Sequence, residues 1–126
     1  MTTEQTVHNI AQLAWDKKGQ DIVIMDLRQL TNVTDFFILV SGESELHIKA
    51  LYENIENELK KNQIKAWHRE GIQQLSWVLL DYIDIVVHIF RPESREYYSL
   101  EKLWADAKII RFQENVKSTV LSESNN

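Results

Sequence analysis

The sequence predicts a mixed α/β domain in which a sheet of about five strands is flanked by helices. Segments rich in β-branched and aromatic residues, such as residues 21–27 and 35–42, are typical of strands covered on both faces. They alternate with stretches in which apolar residues recur at helical spacing, such as residues 48–59. The chain has 126 residues, of which 44% are hydrophobic, and this suits one domain with one core.

The first helix is predicted to begin after Thr2, because Thr2 and Gln5 have the spacing of a capping box. Apolar residues then recur at helical spacing over residues 7–14. The strand segments 21–27 and 35–42 are separated by a loop that contains Asn and Thr, and we expect the two strands to pair as neighbours.

A second helix of about four turns is predicted over residues 48–59. Glu43 and Glu45 precede it, where a helix N-terminus favours negative charge. The segment "IKAWH", residues 64–68, is a candidate third strand. The order strand, helix, strand from residue 35 to residue 68 then predicts a right-handed crossover onto the sheet.

Residues 77–82 and 84–90 are two strand-forming runs with almost nothing between them. This pattern predicts an antiparallel hairpin with Asp81 and Asp84 at its tip. Pro92 has no backbone N–H for a strand ladder but is favourable in the first turn of a helix. We therefore expect the last strand to end there and the segment "ESREYYSLEKLW" to be helical.

The folded domain is predicted to span residues 1–110, and residues 111–126 are predicted to form a flexible C-terminal tail. Beyond Ile110 the apolar periodicity is lost, and the chain ends in Ser, Glu and Asn. This composition is typical of a tail that cannot bury enough apolar surface to order itself.

Composition limits the classes of function. The chain carries 14 basic and 19 acidic residues, a net charge of −5, which disfavours general binding to nucleic-acid phosphates and favours a basic protein partner. It contains no cysteine, which excludes disulfides and thiolate metal sites. The N-terminus lacks a signal-peptide pattern, and no apolar run reaches the roughly 18 residues of a membrane span. We therefore expect a cytoplasmic protein that makes no membrane contact.

A nucleotidyltransferase-like enzyme and an RNA-binding module remain as alternative functions. Asp81 and Asp84 could hold a divalent metal, and "VSGESE" faintly resembles a nucleotidyltransferase turn, but no Asp-x-Asp pair follows it. A Ser41–His88–Asp84 triad can be drawn, but it lacks a G-x-S-x-G elbow. The 4 histidines are scattered without zinc-site spacing, and no basic patch for RNA is evident.

The aromatic residues near the C-terminal end of the domain favour a binding function. Trp77, Tyr82, Tyr97, Tyr98 and Trp104 fall within one short stretch, interleaved with aspartates and arginines. Burial in a core commonly explains such a cluster, but Trp, Tyr and Arg are also the residues that anchor interfaces. The cluster is therefore a candidate surface for a protein partner.

Three blocks closely resemble the ribosomal silencing factor family, RsfS or Iojap: "DIVIMDLRQLTNVTDFFILVSGESELHIKAL", "WVLLDYIDIVVHIF" and "PESREYYSLEKLWADA". The resemblance runs from about Thr3 to about Ile110, and the blocks occur in the family order. It implies a nucleotidyltransferase-like topology without the catalytic set. It also implies a non-enzymatic factor that needs no cofactor or metal.

The resemblance further implies that the partner is the large ribosomal subunit, bound through ribosomal protein L14 beside the interface for the small subunit. Occupancy of that position would block subunit joining and repress translation, without sequence-specific binding to nucleic acid. Family members also form dimers, and the sequence leaves a homodimer open. The docking surface implied by the resemblance consists of Trp77, Leu79, Asp81, His88, Arg95, Tyr97, Tyr98, Leu103 and Trp104.

Overall fold

The computed structural model describes residues 1–113, which fold into four helices and six strands. The helices are α1 (Thr3–Asp16), α2 (Glu45–Lys60), α3 (Pro92–Tyr98) and α4 (Leu100–Leu103). The strands are β1 (Gln20–Asp26), β2 (Phe36–Ser41), β3 (His68–Glu70), β4 (Trp77–Asp81), β5 (Ile85–Phe90) and β6 (Lys108–Arg111).

The strands form one sheet in the order β3-β4-β5-β2-β1-β6. Strands β2 and β5 pair in parallel near its centre, and the other neighbouring strands pair antiparallel. The mixed α/β class is therefore confirmed, as is the predicted pairing of the first two strands.

The main core lies between one face of the sheet and the two long helices. Helix α1 begins with the predicted capping box: the Thr2 side chain accepts the N–H of Gln5 at 3.1 Å, and the Gln5 side chain accepts the N–H of Thr2 at 2.8 Å. The apolar stripes of α1 and α2 are buried against alternate residues of the central strands. In β5, for example, Val87 and Ile89 face this core, so His88 and Phe90 face the opposite side.

The third strand is shifted from its predicted position. We expected residues 64–68, but β3 spans His68–Glu70. After α2, the N–H of Ile64 donates to Leu59 O at 3.0 Å, and the Ile64 side chain packs against the main core. The chain first reaches β4 at Trp67, whose N–H donates to Asp81 O at 2.8 Å. The apolar residues that predicted a strand over residues 64–68 therefore belong mainly to a connection that faces the core, and β3 begins at the end of that connection.

A sixth strand, β6, extends the sheet beyond the five predicted strands. It pairs with β1 at the edge and includes Arg111, and the N–H of Phe112 then donates to Ile22 O at 2.9 Å. All four β6 residues are exposed, so they show no buried alternation that would identify a strand in the sequence. The predicted flexible tail falls mostly on residues 114–126, which lie outside the described residues.

The predicted hairpin is confirmed, with β4 and β5 joined by residues 82–84. Asp81 accepts the N–H of Ile83 through Oδ1 at 2.7 Å, and Ile83 adopts a left-handed φ of 75°. The carbonyl of Asp84 accepts the N–H groups of Asp35 and Phe36 at the start of β2. Both aspartates therefore form the tip, and Asp81 stabilises the turn.

Replacing Gly71 by Ala should destabilise the connection between β3 and β4. Gly71 has a φ of 82°, and an added Cβ would lie 1.9 Å from the carbonyl oxygen of Trp77, so the backbone would have to move. We expect the free energy of unfolding to fall by about 2 kcal/mol or more in urea denaturation. Gln73→Ala, an exposed change in the same connection, is the control and should cost less than about 0.5 kcal/mol. Equal losses in the two variants would contradict the close approach.

Candidate docking site

The face of the sheet opposite α1 and α2 is only partly covered. The α3–α4 segment packs over the part formed by Leu39 and Phe90, both of which are buried. Phe37, Leu79 and Val86 lie on the same face and stay partly exposed. An apolar surface therefore remains open beside the two short helices.

Aromatic rings line this open surface in an unbroken series of contacts from α3 to α4. Neighbouring ring centroids lie 4.5 to 6.1 Å apart, in tilted or edge-to-face pairs. Pairs of this kind contribute roughly 0.5–1.5 kcal/mol beyond burial and restrict ring orientation. We call this series the aromatic chain, and its members in order are Tyr97, Tyr98, Trp77, His88, Phe37 and Trp104.

Trp77 is held in place by His88. The indole Nε1–H of Trp77 donates to His88 Nδ1 at 3.1 Å. Because the indole N–H can only donate, His88 must accept through Nδ1, and the neutral ring then carries its proton on Nε2. His88 Nε2 is buried and has no hydrogen-bond partner among residues 1–113.

Burial keeps His88 neutral. Its side chain is only 4% exposed, and desolvation lowers the pKa of His88 to about 3. Protonation would place a charge among apolar rings and would also convert the Nδ1 acceptor into a donor, which opposes the N–H of Trp77. The orientation of Trp77 therefore depends on the neutral form of His88.

The most exposed side chains of the site project from α3 and α4. Tyr97 is 81% exposed and Leu103 is 71% exposed, and Tyr98 is also exposed beside Trp77. Large apolar side chains at these exposures gain little from the protein's own core, so burial by a partner would release their apolar surface from water.

Arg95 lies inside the structure and holds the helices against the sheet. It is 8% exposed, and its Nη1 donates to Asp21 O at 2.7 Å and to Ser41 Oγ at 2.9 Å. Its Nη2 donates to Glu101 Oε2 at 2.9 Å. One buried guanidinium therefore fixes α3 and α4 relative to β1 and β2.

The structure brings most of the sequence-predicted site residues together, although in different roles. Leu79 and Asp81 follow Trp77 on the same face of β4, with Asp81 at the hairpin tip. His88 and Arg95 are buried, and they position neighbouring groups rather than present a surface. Contact between these nine residues and a partner remains a prediction.

Sequence reasoning missed Phe37, which connects His88 to Trp104 in the aromatic chain. It also missed Val86, which pairs with Phe37 across the parallel strands. Alternation within β2 places Phe37 on the face opposite Phe36, but the register with β5 that brings it to His88 depends on contacts distant in the sequence.

The catalytic arrangements considered from the sequence do not form. Ser41 Oγ accepts from Arg95, His88 Nδ1 accepts from Trp77, and Asp84 lies at the hairpin tip, so these three side chains do not make a triad. Within the described part of the chain, His, Asp and Glu side chains do not gather in groups of three or more that could hold a metal ion.

Comparisons with known proteins show which family this chain resembles. The chain matches the RsfS family model, described as ribosomal silencing factor during starvation, over residues 1–126. It is 36% identical to the ribosomal silencing factor RsfS of Bacillus subtilis, over 84% of this chain and 91% of that protein. It is 29% identical to the mouse mitochondrial assembly of ribosomal large subunit protein 1, over 75% of this chain and 43% of that protein.

The fold is also similar to solved structures. A crystal structure of a Chromobacterium violaceum protein aligns with a TM-score of 0.81 at 32% identity, and covers 83% of this chain and 88% of that chain. Within residues 1–113, no helix is both long and apolar enough to cross a membrane.

The burial of His88 predicts a dependence of stability on pH. The unfolded chain takes up a proton on His88 below its ordinary pKa of 6.5, whereas the folded chain resists protonation until about pH 3. The stability is therefore fully present above 6.5 and falls as the pH decreases, by about 2 kcal/mol between pH 7.5 and pH 5 from this residue.

The variant His88→Asn isolates this effect, because its Oδ1 can still accept from Trp77 while the titrating ring is removed. Urea denaturation across the same pH range should show a flatter profile for His88→Asn than for the wild type, whatever its absolute stability. Parallel profiles would mean that His88 is not protected from protons in the folded state.

The replacement Arg95→Met should loosen the docking site. It removes the donors to Asp21, Ser41 and Glu101 while keeping a side chain of comparable length. We expect a loss of about 2–3 kcal/mol in urea denaturation, since the buried Ser41 hydroxyl and two partly buried acceptors lose their partner. The control Lys102→Met changes an exposed cation of the same segment and should stay within about 0.5 kcal/mol. If Arg95→Met lost as little free energy of unfolding as Lys102→Met, contacts other than those of Arg95 would hold the helices.

Proposed function

The chain belongs to the RsfS family of ribosomal silencing factors, and from this membership we propose that it binds the large ribosomal subunit through ribosomal protein L14 and prevents the small subunit from joining. The proposed docking site comprises the members of the aromatic chain other than the buried His88, together with Leu79 and Leu103. Translation would be repressed because the bound factor occupies space that the small subunit needs. The proposed partner implies a cytoplasmic site of action.

The observation that carries the proposal is the open apolar surface beside α3 and α4. Interfaces obtain most of their binding energy from a few aromatic or apolar anchors that a partner desolvates. Here Tyr97 and Leu103 are exposed on short helices, and Trp77 is fixed between them and the sheet by His88 and Tyr98. Fixed anchors lose little conformational entropy on binding, which favours this surface as the contact.

Electrostatics supports a basic partner. The chain has a net charge of −5 at pH 7. A basic ribosomal protein would be attracted over the distance of about one Debye length, and this raises the association rate more than the final affinity. The apolar anchors would then determine how long the complex persists.

The proposed mechanism is steric and requires no chemical step. The side chains that a catalytic reading would use are engaged in structural hydrogen bonds, as for Ser41 with Arg95 and His88 with Trp77. A factor of this kind acts in proportion to the fraction of large subunits that it occupies, so its affinity and concentration set the degree of repression.

A homodimer stays a prediction. Strand β6 leaves one edge of the sheet unpaired among the described residues, and its Ile109 and Ile110 are exposed. Such an edge can pair with a second copy. Light scattering on the purified protein measures the mass directly and decides between monomer and dimer.

Truncating an anchor should weaken binding to the large subunit. We expect Trp77→Ala to reduce the affinity by about 2 kcal/mol or more, roughly thirtyfold, if Trp77 is an interface hot spot. Leu103→Ala should cost about 1 kcal/mol with little effect on folding, because Leu103 is exposed. Cosedimentation with purified large subunits measures the affinity, and the joined-ribosome peak in a sucrose gradient measures subunit joining.

A matched control is Leu46→Ala. Leu46 is 77% exposed on α2, away from the docking site, so its removal deletes the same side chain without touching the proposed contact. It should bind and block joining like the wild type. Circular dichroism checks whether Trp77→Ala remains folded. Normal binding by both folded Trp77→Ala and Leu103→Ala would rule out this surface as the docking site.

A further inference from the structure

A pocket separate from the proposed docking site lies beyond β3, at the edge of the sheet on the side of α2. Its volume is about 480 Å³, and it is formed by the end of α2, the connection into β3, and the hairpin residue Tyr82. We call it the edge pocket. Its lining residues are Glu56, Lys60, Lys65, Ala66, Trp67, His68, Arg69 and Tyr82.

Trp67 presents a large aromatic surface to this pocket. It is 72% exposed, and its one ring contact among the described residues is with His68, at 5.9 Å between centroids. Its backbone N–H bonds to Asp81 O at 2.8 Å, so the ring projects from a chain segment that is fixed to β4. A Trp side chain with this exposure is uncommon in a folded domain, and a flat ring face is available for stacking.

Positive charge surrounds Trp67, although the whole chain is acidic. Lys60 and Lys65 form no ion pair within residues 1–113, and Arg69 is bound to Glu56 through Nη1 alone. The lining carries three cationic side chains and one carboxylate, and the neighbouring Glu70 carboxylate is hydrogen-bonded to His68 Nε2 at 2.8 Å, so cations outnumber acidic groups around Trp67. This charge favours an anionic ligand.

Tyr82 lines the inner side of the pocket, and its side chain packs against the main core. Its hydroxyl is buried and has no hydrogen-bond partner among the described residues. Burial raises the pKa of Tyr82 well above its ordinary value, so the hydroxyl stays protonated and can donate. The hydroxyl has almost no accessible surface, so it supplies no contact to a ligand in the pocket.

We propose that the edge pocket binds a single-stranded segment of RNA, with a base stacked on Trp67 and backbone phosphates near Lys60 and Lys65. Stacking on an aromatic ring beside a cationic groove is the general mode by which proteins hold single strands without reading their sequence. An acidic peptide would satisfy the lysines but leave the ring face of Trp67 without a stacking partner. The identity of the strand as ribosomal RNA rests on the proposed function.

The contact is weak in isolation and effective on the ribosome. Two lysines release few counterions, so the free protein should bind short RNA only at low salt. Binding through the proposed docking site brings ribosomal RNA to a high local concentration near the edge pocket. A second, weak contact then adds to the total affinity.

Fluorescence anisotropy with a labelled adenosine RNA of about eight nucleotides at low salt tests the pocket directly. We expect saturable binding that Trp67→Ala weakens roughly tenfold. Lys60→Ala/Lys65→Ala should weaken it further and reduce the slope of log affinity against log salt by about one. The controls Trp15→Ala and Lys17→Ala/Lys18→Ala delete the same residue types elsewhere and should bind like the wild type.

Two competitors identify the ligand class. Adenosine monophosphate should compete far less well than the RNA, and equal competition would replace the proposal with a free-nucleotide pocket. Equal competition by a short polyglutamate peptide would replace it with an acidic protein partner. Absence of saturable RNA binding, or equal binding by Trp67→Ala, would overturn it.

Binding to the large subunit separates this inference from the function on which it rests. Trp67→Ala should weaken binding to intact large subunits and leave binding to isolated ribosomal protein L14 unchanged, whereas Trp77→Ala should weaken both. If Trp67→Ala binds both intact large subunits and isolated L14 like the wild type, the RNA contact is rejected and the docking site is unaffected. If Trp77→Ala binds both like the wild type, the docking site is rejected. The oligonucleotide measurement on Trp67 would remain valid in that case.

Discussion

The buried guanidinium of Arg95 joins segments that are far apart in the sequence. It donates to the carbonyl of Asp21 in β1, to the hydroxyl of Ser41 in β2 and to the carboxylate of Glu101 in α4. A charge at this depth is tolerated only when its donors are satisfied, so the geometry around Arg95 restricts α3 and α4 to one position on the sheet. The proposed docking site depends on that position, since these helices carry its exposed side chains.

The unequal covering of the two faces of the sheet follows from the lengths of the helices. α1 and α2 are long and bury the central strands on one face of the sheet, where Trp15 of α1 packs against Phe112. α3 and α4 are short and separated by Ser99, whose φ of 49° breaks the helix. They cover only part of the other face, and the remaining apolar surface is stabilised by ring contacts.

The sequence predicted the features that local interactions determine. The capping box needs only Thr2 and Gln5, and the hairpin needs only the short separation of its two strand-forming runs, with Asp81 able to accept an N–H within the turn. The burial of His88 was not predictable, because alternation shows only which residues share a face. Whether that face is covered depends on where α3 returns to the sheet.

The edge pocket shows why net charge predicted only one kind of partner. Lys60 ends α2, Lys65 lies in the connection that follows, and Arg69 lies in β3. All three lie within residues 60–69, a stretch that carries four Lys and Arg residues and no Asp or Glu, although the chain total is −5. The end of α2, the connection that follows it and β3 place these cations around Trp67 at the edge of the sheet. Charge averaged over a chain therefore indicates how the whole molecule approaches a partner, whereas the fold determines what each of its surfaces can bind.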